Sequence, residues 1–315
     1  MKKNLGFLMS MVFIVVLALS GCGGKTTLKM ATGGTTGTYY AYSGTVSQVL
    51  SQKVNNLNFN VQSTGASKAN IYLVSDEEAD VAIVQNDVMY YAYNGTDLFE
   101  GEKVSGFSAM AGVYAEVCQV VAKSDITSIE DLKGKRVSVG DIGSGVEFNA
   151  RQILEAYDMT FDDIVVSNLS FGDSATALKD DKIDAFFCVA GAPTTAIVEL
   201  ATSNQINVLK VDDEHAAKLI EKYPFYTKFS VPGGSYKGVD NDVQTVAVVA
   251  TYIVSDSLSE DLVYNMTKAL FENADEIAKA HPKGAELDPE YSVSSISIPM
   301  HPGAEKYYRE IGVLK

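Results

Sequence analysis

The stretch MATGGTTGTYYAY occupies residues 30–42, and its reading decides the fold. Before it, Leu28 to Thr32 alternates apolar and polar side chains, as a half-buried strand does. After it, Tyr42, Val46, Val49, Leu50 and Val54 recur at the spacing of one helix face. A glycine-rich turn from strand to helix is a common phosphate cradle, yet both nucleotide patterns fail here. The Walker loop needs a lysine after its last glycine, and Gly37 is followed by Thr38. The dinucleotide pattern G-x-G-x-x-G is absent, because residues 33–38 read GGTTGT. What remains is backbone freedom at Gly33, Gly34 and Gly37, the free N–H groups of a helix start, and the hydroxyls of Thr35, Thr36 and Thr38. That set suits a carboxylate or similar small anion, or else forms a plain turn with a threonine N-cap.

The same plan occurs twice. After the first helix come a strand at Asn58–Gln62, the loop and helix of STGASKANIYLVSDEEAD, and an apolar strand from Asp80 to Gln85. Further on, Arg136–Val139 forms a strand, GDIGSGVEF a second glycine-rich loop, and Val146, Ala150, Ile153, Leu154 and Tyr157 the face of a helix. A strand, a loop, a helix and the apolar strand Asp184–Ala190 complete the copy. Two α/β lobes with largely parallel pairing follow. Met110–Val121 and VQTVAVVATYIVSDSL are long apolar strands at the joins, so two crossovers hinge the lobes around a cleft. The predicted division is 28–121 plus 247–315 for lobe I and 122–246 for lobe II, with a last helix from His301 returning to lobe I.

Residues 1–21 read as a lipoprotein export signal: Lys2 and Lys3, an apolar run from Phe7 to Leu19, then Ser20, Gly21 and Cys22. Leu19-Ser20-Gly21-Cys22 resembles a bacterial lipobox, which implies acylation of Cys22. Residues 22–27 then form a tether, and the protein is lipid-anchored on the outer face of the membrane or in the periplasm. The 40 acidic and 25 basic residues give a net charge of −15, which argues against a nucleic-acid partner. Cys118 and Cys188 lie in apolar runs and read as buried free thiols, with a disulfide as the alternative. His215, His281 and His301 are far apart and read as surface positions on helices or loops. No metal-ligand spacing supports a metal site or other cofactor.

The candidate ligand contacts gather at strand ends and helix starts. The first jaw supplies Thr32, Gly33, Gly34, Thr38 and Tyr39; the second supplies Gly143, Ser144 and Gly145. Ser144 and Glu147 have capping-box spacing, which occupies Glu147 and leaves the loop N–H groups to face the cleft. Thr64, Ser67 and Asn70 open a helix, Gln85, Asn86, Gly191 and Pro193 stand at further strand ends, and Tyr39 and Tyr114 are candidate pocket walls. Glu116 reads either as the partner of a ligand ammonium or as a hinge residue paired with lysine. Only three arginines occur, so a guanidinium clamp is not evident.

ATGGTTGTYY, STGASKANIYLVSDEEADVAIVQND, SIEDLKGKRVSVGDIGSG, KYPFYTKFSVPGGSYKG and DLVYNMTKALFEN run in an order that resembles the TAXI family, the solute receptors of TRAP transporters. The resemblance spans nearly all of 28–315. It implies a type II periplasmic-binding-protein fold and a small anionic or zwitterionic ligand such as glutamate, glutamine or a 2-oxo acid. It also implies delivery to a TRAP transporter membrane subunit driven by a sodium gradient, without catalysis. Of the contacts above, it carries over Thr32, Gly33, Thr38, Tyr39, Ser67, Gln85, Tyr114, Ser144 and Gly145. The sequence departs where the family reads G-x-P-G-S-G-T: Ile142 replaces the proline and Val146 the threonine. A secreted enzyme acting on a small acid, or a surface sensor or adhesion protein, are the alternatives.

Overall fold

The computed structural model describes residues 25–315. The export signal, Cys22 and the start of the tether lie outside them. Strand β1 (Thr26–Ala31) runs through the glycine turn into α1 (Thr38–Lys53). β2 (Leu57–Gln62), α2 (Ser67–Ser75), β3 (Val81–Gln85) and α3 (Asn86–Asn94) follow. β1 lies between β2 and β3, parallel to both. The long strand β4 (Phe107–Lys123) then leads to β5 (Arg136–Ser138), α4 (Gly145–Ala156), β6 (Val165–Ser167), α5 (Phe171–Lys179) and β7 (Ala185–Ala190). β5 lies between β6 and β7, again parallel to both. Each parallel step needs a crossover, and a helix supplies it every time.

The chain continues through α6 (Thr195–Ser203), β8 (Ile206–Leu209), α7 (Asp213–Lys222) and β9 (Thr227–Val231) to the second long strand, β10 (Val243–Ser255). Helices α8 (Glu260–Glu272), α9 (Ala274–Ala280), α10 (Pro289–Ser295) and α11 (Pro302–Glu310) close it, with a 3-10 turn at Pro282–Glu286. The strand order is β2-β1-β3-β10-β4-β7-β5-β6, with β8 on β4 and β9 on β10. β10 pairs with β9 through Val243–Ala247 and with β3 through Ala250–Val254. β4 takes up β7 from Val117 onward. Both long strands therefore change neighbours at the same level, and they remain antiparallel partners there.

In each triplet the strand next to the long strands, β3 or β7, is covered on both faces and buried along its whole length, while β1, β2 and β6 keep exposed positions. Tyr42, Val46, Val49 and Leu50 of α1 pack with Leu28 and Met30 and with Val263, Leu270, Tyr307 and Tyr308 from α8 and α11. Each such apolar side chain contributes about 1.5–3 kcal/mol by leaving water. Ile71, Val74 and Val88 cover the other face. Around β5–β7, Val137, Ile153 and Phe187 form one core and Phe186, Ile197 and Leu200 another.

Cys118 and Cys188 are both buried and free. Cys118 faces Val189 across the β4–β7 ladder while Gln119 faces Cys188. Side chains alternate along a strand, so the sheet separates the two thiols. The surface reading of His301 is corrected. It is buried as the N-cap of α11, with Nδ1 accepting from the Gly303 N–H at 3.2 Å and Nε2 3.1 Å from the Leu258 carbonyl. Among the described residues no helix is long and apolar enough to cross a membrane.

Candidate functional site

The carboxyl ends of β1 and β3 face those of β5 and β7, and the cleft opens between them, where open α/β sheets place ligands. In the first jaw, the Gly37 N–H donates to the Gly34 carbonyl at 2.9 Å. Gly37 itself is the N-cap of α1, not a threonine; no side chain caps this helix, and its first turn carries no acidic residue. The first-turn N–H groups and the positive end of the dipole are therefore left for an occupant.

The second jaw is partly closed by its own side chains. Ser144 Oγ accepts from the Glu147 N–H at 3.3 Å, and Glu147 Oε2 accepts from the Gly143 N–H at 2.6 Å. The return bond falls one residue early because the Ser144 N–H donates to the Asp141 carbonyl. Gly143 is thus occupied within the protein, while Ser144, Gly145 and Val146 line the cleft.

Of the residues singled out in the sequence, Gly33, Gly34, Thr38, Tyr39, Ser67, Gln85, Ser144 and Gly145 converge on this cleft, which holds about 540 Å³ of empty space including its open mouth. The others stand behind it. Thr32 Oγ1 donates to the Gln62 carbonyl at 2.6 Å, and Thr64 Oγ1 donates to the Thr32 carbonyl at 2.8 Å. Asn70 Nδ2 donates to the carbonyls of Thr32 and Ile83, at 2.6 and 2.8 Å. These three residues tie the strand ends together. Asn86 Oδ1 accepts from the Val249 N–H on β10, Tyr114 is fully buried in the core, and Gly191 accepts at 3.1 Å from Thr38 Oγ1 across the cleft.

The jaws touch. Besides the Thr38–Gly191 bond, the Thr36 carbonyl accepts from the Ala196 N–H at 3.4 Å. The Gln85 amide covers Gly145 so closely that a β-carbon there would overlap it. On the flank, Asn149 Nδ2 of α4 donates to Asp87 Oδ2 of α3 at 3.1 Å and to Tyr226 Oη at 2.5 Å. Tyr226 in turn donates to Gln152 Oε1 at 2.6 Å. Burial pushes the Asp87 carboxyl up to about 6, against the hydrogen bonds from the Val88 N–H and Asn149 that lower it.

Glu116, on β4 just before the strands exchange neighbours, is 2 % exposed and lines the cleft. Tyr39 Oη donates to its Oε2 at 2.6 Å. Burial holds this carboxyl well above the ordinary range; the Tyr39 bond lowers it and Asp87 raises it further. The lysine pairing considered for it does not form: Lys283, the buried lysine nearby, pairs with Glu286 at 2.6 Å. Among the described residues no lysine, arginine or histidine lines the cleft.

Sequence reasoning passed over Asp141, Ser170, Phe171 and the Val189–Ala190 strand end as cleft residues. The internal copy offered the signal for two of them. SNLSF (167–171) stands where STGAS (63–67) stands in the first lobe, each opening the helix after the second strand.

The profile of the NMT1-like family matches residues 30–312. The chain belongs to the NMT1-like family. Solved structures share its fold at low identity. PhnD1 from Prochlorococcus marinus, in complex with methylphosphonate, is 9% identical over 92% of this chain and 100% of its own, with a TM-score of 0.56. The alkanesulfonate-binding protein SsuA from Xanthomonas axonopodis pv. citri, bound to MOPS, is 11% identical over 91% of this chain and 84% of its own, with a TM-score of 0.51. A putative L-cystine ABC transporter protein from Listeria monocytogenes is 15% identical over 82% of this chain and 95% of its own, with a TM-score of 0.50. The fold is the two-lobed type II periplasmic-binding-protein fold.

Proposed function

We propose that this NMT1-like protein is an extracytoplasmic solute receptor, not an enzyme. It captures a small carboxylate or amino acid between its lobes and hands it to a membrane permease. One observation carries the reading: an uncapped helix start and a glycine-rich loop from opposite lobes close on one cleft that no cationic side chain among the described residues lines. Such a cleft holds an anion through N–H groups and hydroxyls, and charge-assisted bonds of this kind contribute about 1.5–3 kcal/mol each. The ligand contacts are Gly33, Gly34, Thr38, Tyr39, Ser67, Gln85, Ser144 and Gly145; Thr32, Thr64, Asn86, Tyr114, Gly143 and Gly191 hold them in place. Contact with both lobes favours the closed form, and release requires its reopening. Lobe I comprises 28–121 and 247–315 and lobe II 122–246, in keeping with the levels at which β4 and β10 change neighbours.

The resemblance to TAXI receptors favours a TRAP membrane subunit as the partner, and the lipobox favours anchoring through Cys22. A thermal-shift screen of amino acids and small carboxylates tests the central claim. A ligand at 100 times its Kd adds about 2.7 kcal/mol to stability; a screen in which none stabilises the protein refutes it. Uptake into vesicles containing the permease that follows a sodium gradient supports the TRAP assignment, whereas uptake that requires ATP overturns it. Loss of membrane association in Cys22→Ala tests the anchor.

A further inference from the structure

The walls of the cleft are unequal in charge. One side presents the uncapped start of α1. Facing the same space are the carboxyl groups of Glu116 and Asp141 and the amide of Gln85. Gln85 is 2 % exposed, and its Oε1 has no hydrogen-bond partner among the described residues. Glu116 is equally buried and has a single phenol donor on one oxygen. A buried carboxylate without a cation costs several kcal/mol in general, so such groups are normally paired. Among the described residues no cation lies within ion-pair distance of Glu116. A simple dianion or an oxo acid satisfies the helix start and leaves this wall unpaired.

We propose that Glu116 is the ammonium-recognising residue of the cleft, and that the ligand is therefore an α-amino acid rather than its 2-oxo counterpart. The proposal rests on the receptor reading above and narrows its ligand class. The ligand carboxylate lies at the start of α1, and its ammonium donates to Glu116, with Gln85 Oε1 as a further acceptor. Tyr39 Oη keeps the carboxylate oriented from its other oxygen. The charged groups around Glu116 are Asp87 on α3 and Asp141 at the mouth, with the phenols of Tyr39 and Tyr114 alongside. Burial first and Asp87 second favour the neutral carboxyl in the empty cleft, and the Tyr39 bond opposes them only in part, so ammonium binding expels a proton and the affinity for an amine rises with pH.

Calorimetric titration of the purified chain with amino acids and their matched 2-oxo acids, at pH 6 and pH 8, tests this. The expected result is an amino acid that binds at least roughly 30-fold tighter than its oxo counterpart, more tightly at pH 8 than at pH 6, with that preference abolished in Glu116→Gln. An oxo acid that binds as tightly as the amine, or tightens on acidification, overturns the ammonium assignment and leaves the receptor reading standing. A Glu116→Gln protein with unchanged amine preference overturns it too. Silence towards both classes and all other carboxylates sinks both readings. The wild-type comparison of amine with oxo acid decides the matter even if Glu116→Gln fails to fold.

Discussion

Asp87→Asn replaces one oxygen in a buried bridge between α3 and α4 and removes a charge. Asp87 is fully buried, and its carboxyl titrates at about 6 rather than the ordinary 3.8. The folded protein therefore holds a proton between about pH 4 and pH 6 that the unfolded chain has released. Stability falls as pH rises through that window and stays lower above it. The difference corresponds to about 3 kcal/mol at pH 8 and to less than about 1 kcal/mol at pH 4, where the unfolded carboxyl is only about half ionised. Asparagine has no such term. Flipping the Asn149 amide, whose Oδ1 has no partner, gives the new Nδ2 an acceptor. The gap between variant and wild type should thus grow by about 2–3 kcal/mol in favour of the variant from pH 4 to pH 8, or roughly 4 °C in Tm for a chain of this length. Urea unfolding of dilute protein at both pH values measures it. Any pH-independent change from altered hydrogen bonding cancels in the comparison. A gap that is the same at pH 4 and pH 8 refutes the claim that Asp87 carries a buried-charge penalty.

Three further outcomes follow from the cleft. Gly145→Ala places a methyl against the Gln85 amide, so the jaws close only if that amide is displaced, while each lobe remains intact; ligand affinity should fall at least about tenfold with Tm of the free protein changed little, and an unchanged Kd contradicts the closed geometry. Asn70→Ala strips the carbonyls of Thr32 and Ile83 of their side-chain donor and should cost about 2–4 kcal/mol in denaturant unfolding; a loss below 1 kcal/mol shows the brace is dispensable. Ala66, at the cleft, has φ 66° and ψ −148°, a conformation that favours glycine. Ala66→Gly should raise stability by about 1 kcal/mol, and a destabilised variant argues against strain there.

The repeated strand–turn–helix order was legible because burial on both faces of β3 and β7 leaves the runs 81–84 and 185–190 continuously apolar. The glycine jaws were legible as a repeated motif, although only the second requires glycine: Gly143 has φ 71° and Gly145 lies under the Gln85 amide, whereas none of Gly33, Gly34 and Gly37 is left-handed. Which polar side chain faces the ligand was not legible. Thr32, Thr64 and Asn70 look as suitable as Ser67 and Gln85 in sequence, and only the three-dimensional course of the strand ends turns the former into braces. Glu116 shows the same limit. Its two readings separate only once Lys283 is seen to be taken by Glu286. His301 looked like a surface residue because one-dimensional context does not show that α11 docks its start against the Leu258 carbonyl.

The exchange of neighbours along β4 and β10 also sets an order of assembly on the ribosome. β5, β6, β7, β8 and β9 all emerge between the two long strands, so the sheet they build has its local partners early. β3, by contrast, gains its neighbour β10 only when Ala250–Val254 has been synthesised, some 165 residues after Val81–Gln85. Until then one side of β3 is an open edge, the kind that templates wrong pairings. The half of the molecule made first is thus the last to be completed, and a nascent chain stalled before β10 presents a sticky sheet edge rather than a finished lobe.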